Sequence, residues 1–101
     1  MSQPLEVINN FIDGEFCPTE EYLNSFDPST GQVWAKIANS TAADVDKAVL
    51  AAERAFPLWS ATPVEQRAKV LVKIADLIEA RLDEFAEVES RDQGKPVWLA
   101  R

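Results

Sequence analysis

The sequence predicts an α/β chain that is mainly helical, with three short β-strands at its front. Three observations carry that expectation. Strand and turn signals are confined to residues 7–38. From Thr41 onward, apolar residues recur at helical rather than alternating spacing. Two helix starts, at Thr41 and at Thr62, are marked by capping residues.

Taken in order, Val7-Ile8 and Asn10-Phe11-Ile12 lead into Asp13-Gly14. That pair suits a two-residue type I′ hairpin, because both positions tolerate positive φ. Glu15-Phe16 begins the return, and Cys17-Pro18 ends it. Tyr22 to Phe26 reads as a further short strand, and Asp27-Pro28-Ser29-Thr30-Gly31 supplies the turn after it. Val33-Trp34-Ala35-Lys36-Ile37 then alternates its faces as a strand.

Thr41-Ala42-Ala43-Asp44 is a capping-box variant with Asp in the place of Glu. Behind it Val45, Ala48, Val49, Ala52 and Phe56 form one apolar stripe, so a helix is predicted over about 42–56, with Pro57 as its stop. Thr62-Pro63-Val64-Glu65 signals a second start, with Thr as N-cap and Pro at the first helical position. Ala68, Leu71, Ile74, Ala75, Ile78, Leu82 and Phe85 trace its apolar face. An unbroken run of roughly 28 residues would be long for a globular helix. A break is therefore expected near 81–83, with Asp83 as a cap, giving helices over 63–81 and 83–93. Glu65–Lys69 and Glu87–Arg91 are spaced as i,i+4 ion pairs. Gly94 suits a left-handed C-terminal cap with Pro96 beyond it, and Val97 to Arg101 is an apolar start without a terminator. No long parallel crossover and no doubly wound sheet is expected from these elements.

Composition narrows the chemistry. With 47% apolar residues and 27% charged ones, 101 residues make about one domain with a modest core. The net charge of −7 speaks against a nucleic-acid surface and against docking on anionic lipid. Histidine is absent, which excludes Ser-His and Cys-His nucleophile pairs. The single cysteine, Cys17, excludes an internal disulfide and a multi-cysteine zinc site. No apolar run reaches membrane-spanning length. The start Met1-Ser2-Gln3-Pro4-Leu5-Glu6 lacks the features of a secretory signal, and Arg is missing from the first 50 residues, so the cytosol is expected.

Candidate sites are few. Cys17 has no basic neighbour to activate it and reads as a packing thiol. Gly94-Lys95 follows a helix end and lacks the glycine spacing of a phosphate loop. Trp34, Trp59 and Trp98 read as packing residues. Glu20-Glu21 and Asp83-Glu84 read as solvated surface, with no cleft expected between them. Asp92 stands out, because a carboxylate at a helix C-terminus is unfavourable by ~0.3–1 kcal/mol.

In succession, Asn10-Phe11-Ile12-Asp13-Gly14-Glu15-Phe16, Asp27-Pro28-Ser29-Thr30-Gly31, the Thr41-started helix, Phe56 with Trp59-Ser60, Arg67 and Asp92-Gln93-Gly94-Lys95-Pro96 resemble the opening of the NAD(P)-dependent aldehyde dehydrogenases. The resemblance covers residues 8–101. Asn-Phe-Ile-Asp-Gly, Glu-Ser-Arg-Asp-Gln-Gly-Lys-Pro and Leu99-Ala100-Arg101 are most similar to the 2-aminomuconic semialdehyde dehydrogenase group, which acts in tryptophan catabolism.

The resemblance implies that residues 1–101 are the leading, incomplete part of a cofactor-binding domain. The NAD-contacting and catalytic residues of the family, its nucleophile in a Gly-Gln-x-Cys setting among them, lie further on. No catalytic or cofactor-binding residue is therefore carried over. It also implies a structural sodium or potassium ion held by the main-chain carbonyls of Ser25 and Phe26 with Asp92; a solvated Asp92 paired with Lys95 is the alternative. Partners would be the remainder of the enzyme and, for the whole protein, further copies in a homo-oligomer. The chain by itself is expected to be inactive. A small non-catalytic scaffold derived from the same family is the alternative function.

Overall fold

The structure, a computed structural model, describes residues 5–101. The readings made on the first four residues lie outside that range. Five strands precede four helices: β1 (Glu6–Ile8), β2 (Asn10–Ile12), β3 (Glu15–Cys17), β4 (Tyr22–Phe26), β5 (Val33–Ala38), α1 (Ala42–Ala61), α2 (Val64–Ala80), α3 (Leu82–Gln93) and α4 (Val97–Ala100).

The strand region holds five short strands where three were expected. Each arm of the hairpin is a strand of its own, and Val7-Ile8 separates from Asn10–Ile12 because the two pair with different partners. β2 and β3 form an antiparallel ribbon, Ile12 facing Glu15 across a turn in which Asp13 (φ 53°) and Gly14 (φ 78°) both take positive φ. That is the type I′ geometry. β1 instead lies parallel to β5, with Glu6, Val7 and Ile8 opposite Ala35, Lys36 and Ile37. This overturns the expectation of no long parallel crossover. The crossover is made by the hairpin and β4 rather than by a helix, long enough for the ends to meet. β4 pairs antiparallel with the other side of β5, giving the order β1-β5-β4, with a register shift between Ser25 and Phe26.

Thr41 caps α1 as expected. Its hydroxyl accepts from the Asp44 amide at 3.2 Å, while the Thr41 amide donates to the Asp44 carboxylate at 2.9 Å. Pro57, however, does not stop this helix, which runs on to Ala61. A proline removes one amide donor, and the Glu53 carbonyl it orphans is on an exposed turn where water can serve it. The stop comes at Thr62, held extended (φ −67°, ψ 132°) by the proline that follows. Thr62 therefore serves the end of α1 rather than the start of α2. Its amide donates to the Trp59 carbonyl at 3.1 Å and its hydroxyl to the Leu58 carbonyl at 2.8 Å. Pro63 takes the N-cap position of α2 without a side-chain cap.

The break between α2 and α3 falls at Arg81, within the predicted window. Asp83 is not its cap; it pairs with Arg101 at 2.8 Å. The expected pairs Glu65–Lys69 and Glu87–Arg91 are absent among the described residues. Arg81 holds Glu84 through two contacts of 2.9 and 2.5 Å instead, and Lys95 reaches Glu89 at 3.5 Å. Long side chains on open helix faces choose partners at little energetic difference.

The body is open. Its radius of gyration is 17.1 Å, against about 13 Å for a compact domain of this length. Its buried apolar residues are Ile12, Ala35, Ala51 and Ala86. Phe16, Leu58 and Trp98 are 73%, 80% and 76% exposed, so large apolar faces of both sheet and helices stand uncovered.

Candidate functional site

Ser25 closes the regular part of β4, and Asp92 sits in the last turn of α3, 67 residues later. The Ser25 hydroxyl donates to Asp92 Oδ1 at 3.4 Å, so strand and helix ends meet. Phe26, beside Ser25, follows the register shift, where the regular ladder is interrupted.

The turn after β4 completes this corner. The Asp27 carboxylate accepts from the Ser29 hydroxyl at 2.7 Å and from the Ser29 amide at 2.8 Å. Those bonds, with a smaller contribution from the Arg91 charge, hold the Asp27 carboxyl below its ordinary range. Gly94 caps α3 with φ 83°, its amide donating to the Ser90 carbonyl at 2.8 Å. A Cβ at Gly94 would lie 3.3 Å from the Pro28 ring, so the turn and the helix end are in close approach. The Arg91 guanidinium stands 5.8 Å from the centre of the Trp34 ring.

Between the sheet and α3 lies a groove of about 520 Å³, walled by Ile8, Trp34, Ile37, Phe85 and Val88, with Ser25, Glu89 and Asp92 at its polar margin. The Trp34 Nε1–H is buried there and finds no acceptor among the described residues. An unmet buried donor costs about 1–3 kcal/mol, and the largely apolar walls of the groove suit an apolar segment. The Ser25 hydroxyl meets the Asp92 carboxylate at its margin, and no thiol or imidazole lines it.

Other candidates remain apart from it. Cys17, half-buried at the end of β3, donates from Sγ to the Glu15 carbonyl at 3.6 Å. Lys95 follows the α3 terminus and reaches Glu89 at 3.5 Å, while Asp92 accepts from Ser25. Glu20-Glu21 does border a recess, of about 560 Å³, contrary to the expectation of no cleft. Two of its three acids are spent structurally: Asp44 belongs to the capping box, and Glu21 accepts from the Asn39 side chain at 3.5 Å. Among the described residues no group of three or more Asp, Glu or Cys side chains could hold a metal ion by itself. No helix there is long and apolar enough to cross a membrane.

Two structural ties had no legible signal. Tyr22 donates from its hydroxyl to Asn9 Oδ1 at 2.6 Å, and half-buried Arg67 donates from Nε to the Thr62 carbonyl at 3.1 Å. Only the placement of β1 and β4 on the two sides of β5, and the turn between α1 and α2, bring those partners together.

The sequence and fold recur in known proteins. The profile of the aldehyde dehydrogenase family matches residues 16–101. A 2-aminomuconic semialdehyde dehydrogenase of Danio rerio is 54% identical over 95 residues, 94% of this chain and 20% of the relative. The Homo sapiens protein of the same name is 48% identical over 97 residues, again 20% of its length. The crystal structure of an NAD-dependent aldehyde dehydrogenase from Sinorhizobium meliloti superposes with a TM-score of 0.90 at 31% identity, over 96% of this chain and 20% of that one. The chain thus spans about a fifth of the length of the relatives it matches.

Proposed function

The chain belongs to the aldehyde dehydrogenase family, and from that premise we propose that it is the leading segment of the cofactor-binding domain of an NAD-dependent enzyme oxidising an aldehyde to a carboxylic acid. The aldehyde proposed for the whole enzyme is 2-aminomuconate semialdehyde, in tryptophan catabolism, on the strength of 54% and 48% identity to relatives bearing that name. The segment's role is structural. It supplies the first strands and flanking helices, while the groups that hold NAD and attack the carbonyl come from outside residues 1–101.

One observation carries this reading: the faces of the sheet and helices stand open around a core of Ile12, Ala35, Ala51 and Ala86. A self-sufficient scaffold would have to bury Phe85, Trp98 and Leu99, which are 47%, 76% and 55% exposed. The natural cover is the remainder of the enzyme, in a cytosolic homo-oligomer.

A structural sodium or potassium ion fits the corner between β4 and α3. The Ser25 and Phe26 carbonyls and the Asp92 carboxylate are hard oxygen donors of the type such ions prefer. The Ser25–Asp92 contact supports their nearness, and a cation would offset the cost of an acid at a helix C-terminus.

The decisive experiment replaces the matching opening segment of the Danio rerio relative with residues 1–101. The chimera is expected to reduce NAD with 2-aminomuconate semialdehyde, and the 101-residue chain alone to give no NADH. NADH formation by the lone chain, or a folded chimera without activity, would end the proposal.

A further inference from the structure

The hairpin turn offers chemistry that the proposed function does not use. Asp13 and Gly14 are exposed, and Asp13 is the sole non-glycine residue with positive φ among the described residues. Nothing lies within 4 Å of the position a Gly14 Cβ would take, so no other part of the molecule crowds the turn on that side. As a central turn residue it lies outside the Ile12–Glu15 ladder, and it has no main-chain hydrogen-bond partner among the described residues. The Asp13 carboxyl likewise has no hydrogen bond or ion pair there.

No other aspartate combines those features. Asp27 is bonded to Ser29 and precedes Pro28, which has no amide proton. Asp44 is held by Thr41, and the amide after it donates to the Thr41 carbonyl at 3.1 Å. Asp83 pairs with Arg101 and Asp92 with Ser25. Asp46 and Asp76 lie inside α1 and α2, where the next amide is committed to the helix ladder.

We infer that Asp13-Gly14 is a site of spontaneous isoaspartate formation, and so a methyl-acceptor site for an S-adenosylmethionine-dependent L-isoaspartyl O-methyltransferase. The Gly14 nitrogen attacks Cγ of the neutral Asp13 carboxyl. A C–N bond forms, the Cγ–OH bond breaks, and the amide proton leaves with the hydroxyl as water, closing a five-membered succinimide. Water then adds at either carbonyl. Opening at the main-chain side breaks its bond to the Gly14 nitrogen, frees the α-carboxyl and leaves the chain running through Cβ and Cγ. One water leaves and one returns, with no change of oxidation state. The added backbone atom ends the Ile12–Glu15 register. The hairpin is disposed to let this happen, since a two-stranded ribbon is marginal by itself and Phe11 and Phe16, exposed to solvent, pack edge-to-face on each other at 4.9 Å.

The test incubates the full chain at physiological pH and temperature. Isoaspartate is then located by electron-transfer fragmentation and counted by methyl transfer from labelled S-adenosylmethionine. Label is expected to accumulate at residue 13, with none at Asp44, Asp46, Asp76 or Asp92. Asp13→Glu, which needs a six-membered ring, is expected to lose that label, and Asp13→Asn, which keeps the turn preference, to gain it faster with ammonia as leaving group. Absence of label at residue 13, equal label at the helical aspartates, or no acceleration in Asp13→Asn would overturn the inference.

Discussion

Residues 41–101 keep their shape through sequence neighbours, whereas residues 5–38 are tied by partners many positions away. In α1, α2 and α3 most caps and ion pairs join residues three to six apart: Thr41 to Asp44, Thr62 to Leu58, Arg81 to Glu84, Lys95 to Glu89, with Asp83 to Arg101 the longer exception. In the strand region Tyr22 reaches back to Asn9, Glu6 pairs with Ala35, and Asn39 donates to the Glu21 carbonyl at 3.0 Å. Helices with little apolar cover depend largely on local bonds, and isolated helices of this length are marginal in water. The strand region has a fully buried residue, Ala35, and a network spanning the sheet. The two regions should therefore respond differently to the same perturbation.

The largest expected difference is in the isolated chain itself. Amide exchange should be slowest in β5 and fast along α2, with dye binding to the open faces and no sharp melting transition. Uniform protection and cooperative melting would erase the contrast. Next comes Ala35→Leu, which forces a larger side chain into a site with no exposure. It should destabilise the sheet by about 1–3 kcal/mol, read from β4 and β5 exchange, with α2 unaffected.

Gly94→Ala tests the joint between the regions. A left-handed non-glycine residue costs about 1–2 kcal/mol, and here its Cβ also meets Pro28 at 3.3 Å. Loss of protection in both the α3 end and the 27–31 turn is expected; loss in α3 alone would show that the contact does not couple them. Thr41→Ala removes a capping box and should cost α1 about 1 kcal/mol, confined to its first turn, as a local device requires.

The smallest effect concerns pH. The Asp27 carboxyl titrates below its ordinary value of 3.8, chiefly through Ser29. A depressed folded pKa gives stability that is present above the ordinary value and lost as pH falls through the folded one. Gly31 amide protection should drop in that acidic window, and Asp27→Asn should remove the pH dependence while keeping the turn. An unchanged profile in the variant would assign the titration elsewhere.

These regions also differ in what could be read in advance. The Thr41 capping box, the Asp13-Gly14 turn, the Gly94 cap and the break at Arg81 follow from a few adjacent residues, because capping and φ preference act over one turn of chain. The sequence alone therefore determined where most local elements begin and how several of them end. It also marked Asp92 as an acid at an unfavourable helix end. Only the tertiary structure decided that β1 runs parallel to β5, that Ser25 answers Asp92 across 67 residues, and that Trp34 buries an indole N–H without an acceptor among the described residues. Thr62 shows the same division on a small scale: its residue type signals a helix boundary, but geometry gives its hydroxyl to the helix behind it. The reason is physical: a cap or turn is set by torsions a few bonds away, while strand partners and groove walls are chosen by closing long loops, whose cost and reward depend on the whole packed body.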